Sequence, residues 1–166
     1  MAYEFKLIES PVGKLKLVAS HDKLVAILWE NDRPNRVKLG EMREANHNPV
    51  LVDTARQLDE YFRGTRTRFE LDTEFVGTEF QKKVWNALLT IPFGETRSYR
   101  DIATQIGNSR ATRAVGAANG RNPLSIIAPC HRVIGSSGDL TGFAGGLPRK
   151  AALMAIEGST VRRPGA

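Results

Sequence analysis

Apolar and polar residues alternate with period two from Tyr3 to Ile8 and again from Lys14 to Val18, and Ser10-Pro11-Val12-Gly13 between them is a turn signal. Successive side chains of a strand point to opposite faces, so both runs predict half-buried strands. Val25 to Trp29 reads as a third strand after the polar turn His21-Asp22-Lys23. Asn48-Pro49 then offers a cap and a first-turn proline for a helix running to Phe62, and Gly64 ends it. Phe69 to Phe75 predicts one more short strand, leading into a linker. The expectation is a small antiparallel sheet with one helix.

Past residue 77 the pattern becomes helical. Thr78-Glu79-Phe80-Gln81 is a capping box, opening a helix with Phe80, Val84, Leu88 and Ile91 along one face; Pro92-Phe93-Gly94 breaks it. Ser98-Tyr99-Arg100-Asp101 caps a helix through Ile106, which Gly107-Asn108 stops. Ser109 is expected to cap a further helix from Arg110 to about Ala118, closed by Asn119-Gly120. Two short helices across a tight, glycine-containing turn predict a helix-turn-helix. Leu124 to Ala128 reads as a buried extended segment delivering Pro129-Cys130. Gly135 to Asp139 is a loop, and Thr141-Gly142-Phe143-Ala144-Gly145-Gly146 is flexible enough to wrap a small ligand with backbone groups. Pro148 begins a last helix, Arg149 to Ile156, with Glu157 at its end and Gly158 after it. The predicted fold class is α+β: a small N-terminal sheet domain over residues 1–76 and a mostly helical C-terminal domain with a helix-turn-helix over residues 77–166.

Composition adds little except in its distribution. At 166 residues, 41% hydrophobic and 25% charged, the chain is ordinary for a globular protein. No window approaches the apolar length of a membrane span, the first residues lack a signal-peptide pattern, and no repeat is evident. The charge, however, is uneven. Residues 1–76 carry 12 Lys/Arg against 13 Asp/Glu, whereas residues 77–166 carry 12 against 5. A basic half suits a polyanionic partner, since phosphate neutralisation drives such binding; a positive surface kept for solubility is the alternative.

The single cysteine, Cys130, lies in that half. One cysteine excludes an internal disulfide and points to a reducing, intracellular (cytoplasmic) setting. It is either a small core hydrophobe or a reactive thiol. Pro129-Cys130-His131-Arg132 sets an imidazole and a cation beside it, surroundings that lower a thiol's pKa. Adjacent side chains diverge in extended backbone, so a bridging water between Cys130 and His131 is expected rather than direct contact. Glu157 is opposed by the macrodipole at its helix end, and pairing with His131 would explain it; a frayed surface acid is the alternative. In the second helix of the pair, Ala111, Ala114, Gly116, Ala117 and Ala118 leave only Arg110 and Arg113 as long side chains. Such a slim helix either enters a narrow minor groove, where sequence readout is poor, or packs tightly on a partner helix. His21 and His47 have no metal-ligand spacing and read as surface residues.

Five groups of residues together resemble the O6-alkylguanine-DNA alkyltransferase family, the direct-reversal DNA repair proteins. They are Gly94-Glu95-Thr96-Arg97-Ser98-Tyr99, Arg113-Ala114-Val115-Gly116, Asn122-Pro123, Pro129-Cys130-His131-Arg132-Val133 and Glu157-Gly158. Their order and spacing follow the family across residues 77–166, and the N-terminal part resembles its ribonuclease H-like domain. The resemblance implies that Cys130 takes the alkyl group from O6 of guanine, also O4 of thymine, and keeps it, so that each molecule acts once. Glu157 would orient His131, which draws the thiol proton through a water, and Asn122 would fix the nucleophile's turn. Tyr99 would donate to the guanine ring as it leaves. Arg113 would fill the stack vacated by the flipped base, with Ser98, Arg110, Ala114 and Gly116 also at the DNA. The Val133 carbonyl and the Ala144 amide would bind the guanine.

The implied partner is double-stranded DNA containing O6-alkylguanine, met through the minor groove by a monomer, with no membrane and no cofactor. Zinc-binding relatives use cysteines and histidines in the N-terminal domain; those cysteines are missing here, so no zinc is expected. Phe143-Ala144 stands where some relatives carry Tyr-Ser. Two rivals come from other classes. One is a DNA-binding module with an inert Cys130. The other is a cysteine hydrolase using Cys130, His131 and Glu157, which would turn over repeatedly.

Overall fold

The fold, taken from a computed structural model, is described for residues 3–135 and 143–159. The alternating runs form strands β1 (Tyr3–Ile8), β2 (Leu15–Ser20) and β3 (Lys23–Trp29), paired antiparallel. A fourth strand, β4 (Met42–Glu44), lies parallel to β1, so the sheet order is β3-β2-β1-β4 and the sheet is mixed rather than antiparallel. Three residues cannot show an alternation, which is why β4 is invisible in the pattern. Residues 69–75 form no strand. They follow the outer edge of β3 through one bridge, Leu24 to Thr73, with Leu24 N–H donating to Asp72 and Glu74 N–H donating to Leu24. Helix α1 (Pro49–Phe62) is capped by the Asn48 side chain, as expected, and buries Leu51, Leu58 and Tyr61. Its Gln57 donates to the Glu70 carbonyl and accepts from the Glu70 amide, tying that edge segment down.

The second half holds α2 (Glu79–Leu88) and α3 (Tyr99–Gln105), both opened by full capping boxes, at Thr78/Gln81 and Ser98/Asp101. Helix α4 (Thr112–Gly120) starts later than expected. Asn108 C=O accepts from Ala111 N–H in a preceding turn, so Ala111 and not Ser109 is the capping residue, and no side chain caps the helix. Helix α5 (Leu147–Ile156) ends at Glu157. A two-strand parallel pair, β5 (Arg97–Ser98) with β6 (Val133–Ile134), sets the start of α3 beside the residues that follow Cys130. Residues 124–128 are buried but not extended: Ala128 N–H closes back onto Leu124 C=O at 2.8 Å, and Ile126 has φ +75°. Left-handed backbone is uncommon for a β-branched residue, so this turn is held against its own preference.

The two halves share one core, in which Leu15, Leu17, Leu58 and Tyr61 join Val84, Trp85, Val115 and Cys130. Ile27 of β3 donates to the Pro123 carbonyl at 2.8 Å, and Trp29 Nε1 donates to Ser125 Oγ at 3.1 Å. Arg36, buried, pairs with Asp32 and donates to the carbonyls of Gly120 (3.2 Å) and Asn122 (2.9 Å). The sheet therefore braces the turn that carries Cys130. Among the described residues no helix is long and apolar enough to cross a membrane.

Candidate active site

Cys130 opens a single 3-10 turn, Cys130–Arg132, rather than continuing extended backbone. Its residue is 2% exposed, and His131 is fully buried. Asn122, also fully buried, builds the approach: its Nδ2 donates to Ala128 C=O at 2.7 Å and its Oδ1 accepts from Leu124 N–H at 3.0 Å. One side chain thus closes residues 122–128 into the loop that presents the sulfur. Asn119 of α4 reaches the Cys130 carbonyl at 3.5 Å.

Glu157 is the hub behind the turn. Oε2 accepts from His131 Nε2 at 2.7 Å, from Tyr61 Oη at 2.5 Å and from Arg132 at 3.1 Å, while Oε1 accepts from Arg132 Nε at 2.7 Å. Burial raises the Glu157 pKa, but hydrogen bonds from His131, Arg132 and Tyr61 outweigh it and hold the carboxyl at about 2. A carboxylate can only accept, so Nε2 carries the imidazole proton and Nδ1 carries the lone pair. That Nδ1 is buried and has no hydrogen-bond partner among the described residues. Glu157 is therefore no frayed acid; the expected pairing with His131 is made. Gly94, at φ +82°, permits the close approach of this helix end: a Cβ there would stand 3.1 Å from Glu157 O.

One expectation is corrected. The thiol pKa is raised, because burial outweighs the Asn122 hydrogen bond and the more distant charges of Arg36 and Lys150. The cation beside Cys130 in sequence does not serve it. Arg132 spends its guanidinium on Glu157 and on the Ile91 carbonyl (2.6 Å), stacked near the Phe93 ring. His131 is likewise pushed below its ordinary pKa by burial, opposed by Glu157. The resting site holds a neutral thiol, a neutral imidazole with a free lone pair, and a charged carboxylate.

Tyr99 begins α3 beside β6, and Gly116 of α4 lies over it, with 3.9 Å to its ring from a Cβ built there. Val133, fully buried, gives its carbonyl to Lys150 Nζ at 2.6 Å. Ala144 is half-buried near Phe143, whose ring meets Trp29 edge-on at 5.5 Å. Residues 136–142, including most of the expected loop and Thr141-Gly142, and residues 160–166 lie outside the described residues. On α4, Arg113, Ala114 and Ala117 are exposed, as is Arg110 before it, while Val115, Ala118 and Asn119 are buried. Ala114 and Ala117 do not pack on a partner helix, and Ser98 is half-buried at the cap. His21 and His47 are exposed.

Residues 79–159 match the family model for the 6-O-methylguanine DNA methyltransferase DNA binding domain, and residues 4–75 match that for its ribonuclease-like domain. The chain belongs to the 6-O-methylguanine DNA methyltransferase family. The methylated-DNA–protein-cysteine methyltransferase of Mycobacterium leprae (strain TN) is 49% identical over 153 residues, 90% of this chain and 89% of its own. That of Methanosarcina acetivorans is 44% identical over 155 residues, 93% of this chain and 98% of its own. Among solved structures, Mycobacterium tuberculosis OGT in complex with DNA superposes with a TM-score of 0.85 at 44% identity, covering 95% of this chain and 92% of that one. As a member of this family the chain is an enzyme, a methyltransferase of DNA repair.

Within the candidate site, Tyr61 and Lys150 escaped the sequence reading, which set Arg132 beside the thiol rather than on the carboxylate. Tyr61 and Arg132 complete the Glu157 carboxylate, and Lys150 reaches Val133 from α5. Lys150 left a signal: Leu153 and Met154, three and four residues on, are the buried face of α5, so Lys150 shares it. Burial lowers its pKa to about 8, against the charge of Cys130, which raises it. Tyr61 left only half a signal, because a buried hydroxyl needs a partner but nothing local names one 96 residues away.

Proposed function

We propose that the chain repairs O6-alkylguanine in double-stranded DNA by transferring the alkyl group to Cys130 Sγ, once per molecule. The observation that carries this reading is the buried Cys130 beside His131, with Glu157 on Nε2 and an unpartnered lone pair at Nδ1. In the reaction the thiol proton passes through a water to Nδ1, and Glu157 stabilises the imidazolium. The sulfur attacks the alkyl carbon, the carbon–O6 bond breaks, and its electron pair stays on the guanine. Tyr99 donates to the ring as that charge arrives. The Val133 carbonyl has a second lone pair beyond the one Lys150 occupies, so it can still accept from the base, with the Ala144 amide opposite. The product is a thioether, and the chain has no second cysteine to release it. O4-alkylthymine is the second substrate in this reading.

The exposed face of Arg110, Arg113, Ala114 and Ala117 supports DNA docking through a slim helix in the minor groove, with Ser98 and Gly116 alongside. A cysteine buried to 2% exposure supports base flipping, since a base in the stack could not reach its sulfur. Residues 77–166 are the reacting half, residues 1–76 its brace, and the unit is a cytoplasmic monomer. The test is intact-protein mass spectrometry after mixing with duplex DNA containing O6-methylguanine. One added methyl group, absent in Cys130→Ser, is the expected result. Unmodified protein that binds DNA would favour a DNA-binding module, and repeated turnover would favour a hydrolase.

A further inference from the structure

Tyr61 belongs to the ribonuclease-like half, near the end of α1, yet its fully buried hydroxyl donates to the same Glu157 oxygen that accepts from His131. We propose that Tyr61 is a positioning residue for the proton relay, through which the N-terminal half sets the geometry and strength of the Glu157–His131 pair. This rests on the transfer reading above.

An ionised carboxylate offers about four acceptor sites. Here four donors converge on the group unevenly: Arg132 Nε on Oε1, and Arg132, His131 and Tyr61 together on Oε2. Arg132 spans both oxygens as a two-pronged clamp, at 2.7 and 3.1 Å. The Tyr61 hydroxyl, arriving from the other half of the chain, fixes where Oε2 stands when His131 meets it. It also shares the charge of Oε2, which weakens the hold of Glu157 on an imidazolium. Burial and the Glu157 charge raise the Tyr61 pKa, so the group stays a phenol and never competes for the His131 proton. The charged and titratable groups bearing on His131 are Glu157, Arg132 and Lys150; those bearing on Tyr61 are Glu157 and Arg132. The ring itself is held separately, by Phe62, Phe69 and Phe93 at 5.3, 5.5 and 6.1 Å between centroids. Packing and hydrogen bonding at this residue can therefore be cut apart.

The experiment uses the full chain, free O6-benzylguanine as probe, and single-turnover rates followed by mass across the pH range in which histidine titrates. Tyr61→Phe keeps the ring and removes the hydroxyl. It should slow benzyl transfer about tenfold near neutrality, because Oε2 is then no longer fixed where His131 meets it and a small misplacement of a relay group costs rate on this order. It should also move the acid limb of the profile to higher pH, because a less hydrogen-bonded Glu157 holds the imidazolium more tightly. Phe69→Leu loosens the same cluster without touching the carboxylate, and should lower the melting temperature while leaving the shape of the profile alone. A Tyr61→Phe profile that superposes on the parent overturns the proposal. So does one lowered equally at every pH and matched by Phe69→Leu, since that is a packing effect. If the parent chain itself gains no benzyl group, the transfer reading fails first, and the positioning role falls with it.

Discussion

Asn122 is the residue on which the shape of the nucleophile's loop depends most, and Asn122→Ala measures that dependence. The substitution orphans one buried group, the Leu124 amide, now 3.0 Å from Asn122 Oδ1, and takes one of two hydrogen bonds from the Ala128 carbonyl, which keeps the Cys130 N–H at 2.7 Å. An unsatisfied buried group costs about 1–3 kcal/mol and the lost bond about 1 kcal/mol more, so the raw loss is about 2–4 kcal/mol. Part is returned. Ile126 sits at φ +75°, a strain of about 1–3 kcal/mol that the closed loop sustains and an open loop would release. The net expectation is about 2 kcal/mol of lost stability, read by urea denaturation. For a domain of this size that corresponds to about 4–8 °C in Tm. Transfer to Cys130 from O6-benzylguanine should slow as well, because the Asn122 hydrogen bond is among the influences that lower the thiol pKa. Asn122→Asp separates the two effects: it can still accept from Leu124 N–H but cannot donate to Ala128, and it adds a negative charge beside the sulfur. It should therefore react more slowly than its stability loss explains. An Asn122→Ala protein that melts with the parent and reacts at the parental rate would refute the view that these two bonds hold the loop.

Three other substitutions or conditions test the remaining parts. Stability should fall in acid in two stages: below about pH 6.5, where unfolded histidine gains a proton that buried His131 resists, and again as pH drops from about 4.5 toward about 2, where Glu157 is protonated only after unfolding; urea midpoints against pH, with Glu157→Gln abolishing the second stage, check this. Ser98→Ala removes the α3 capping box and should cost about 1 kcal/mol in thermal denaturation, with the rate of transfer from the free base to Cys130 preserved. Arg113→Ala should slow repair of duplex DNA, where unstacking costs a few kcal/mol, far more than transfer from free O6-benzylguanine; equal slowing on both would mean that Arg113 supports the pocket instead.

The periodic segments could be read because their physics is local. A period-two run, or a cap followed three residues later by its partner, carries its own evidence, and β1, β2, α2 and α3 all begin from such signals. What could not be read depends on partners far along the chain. Strand β4 exists because β1 offers it an edge. Ile126 adopts a left-handed turn because Asn122 closes it, so the β-branched run Leu124 to Ala128 looked extended and is not. Ser109 has the chemistry of a cap but sits in the turn before the helix. At the site, Cys130, His131 and Glu157 were visible by residue type, while the reach of Tyr61 and the diversion of Arg132 to Glu157 are tertiary facts. The expected lowering of the thiol pKa failed for the same reason: adjacency in sequence placed a cation near the sulfur, but the fold gave that cation to another group.

That failure bears on how a one-use acceptor is kept. A thiolate is the nucleophile toward any electrophile, including those that would waste it, so a permanently ionised Cys130 would be consumed without repairing anything. A thiol held neutral by burial is inert until its proton can leave, and the only unpartnered base beside it among the described residues is His131 Nδ1. His131 is itself held neutral, so at rest the proton stays on the sulfur. In the proposed reaction a flipped base would fill the space next to the sulfur and present an alkyl carbon in line. It can then couple departure of the proton to bond formation, so charge develops on the sulfur only when there is a group to receive. On this logic specificity lies in the coupling rather than in a reactive resting state. Small alkylating agents should therefore modify Cys130 more slowly than they modify an ordinary exposed thiol at the same pH, although the same residue should react readily with O6-benzylguanine. Competition between iodoacetamide and O6-benzylguanine for Cys130, followed by intact mass, measures that contrast directly; rapid carboxamidomethylation of the native protein would show the sulfur to be ionised at rest.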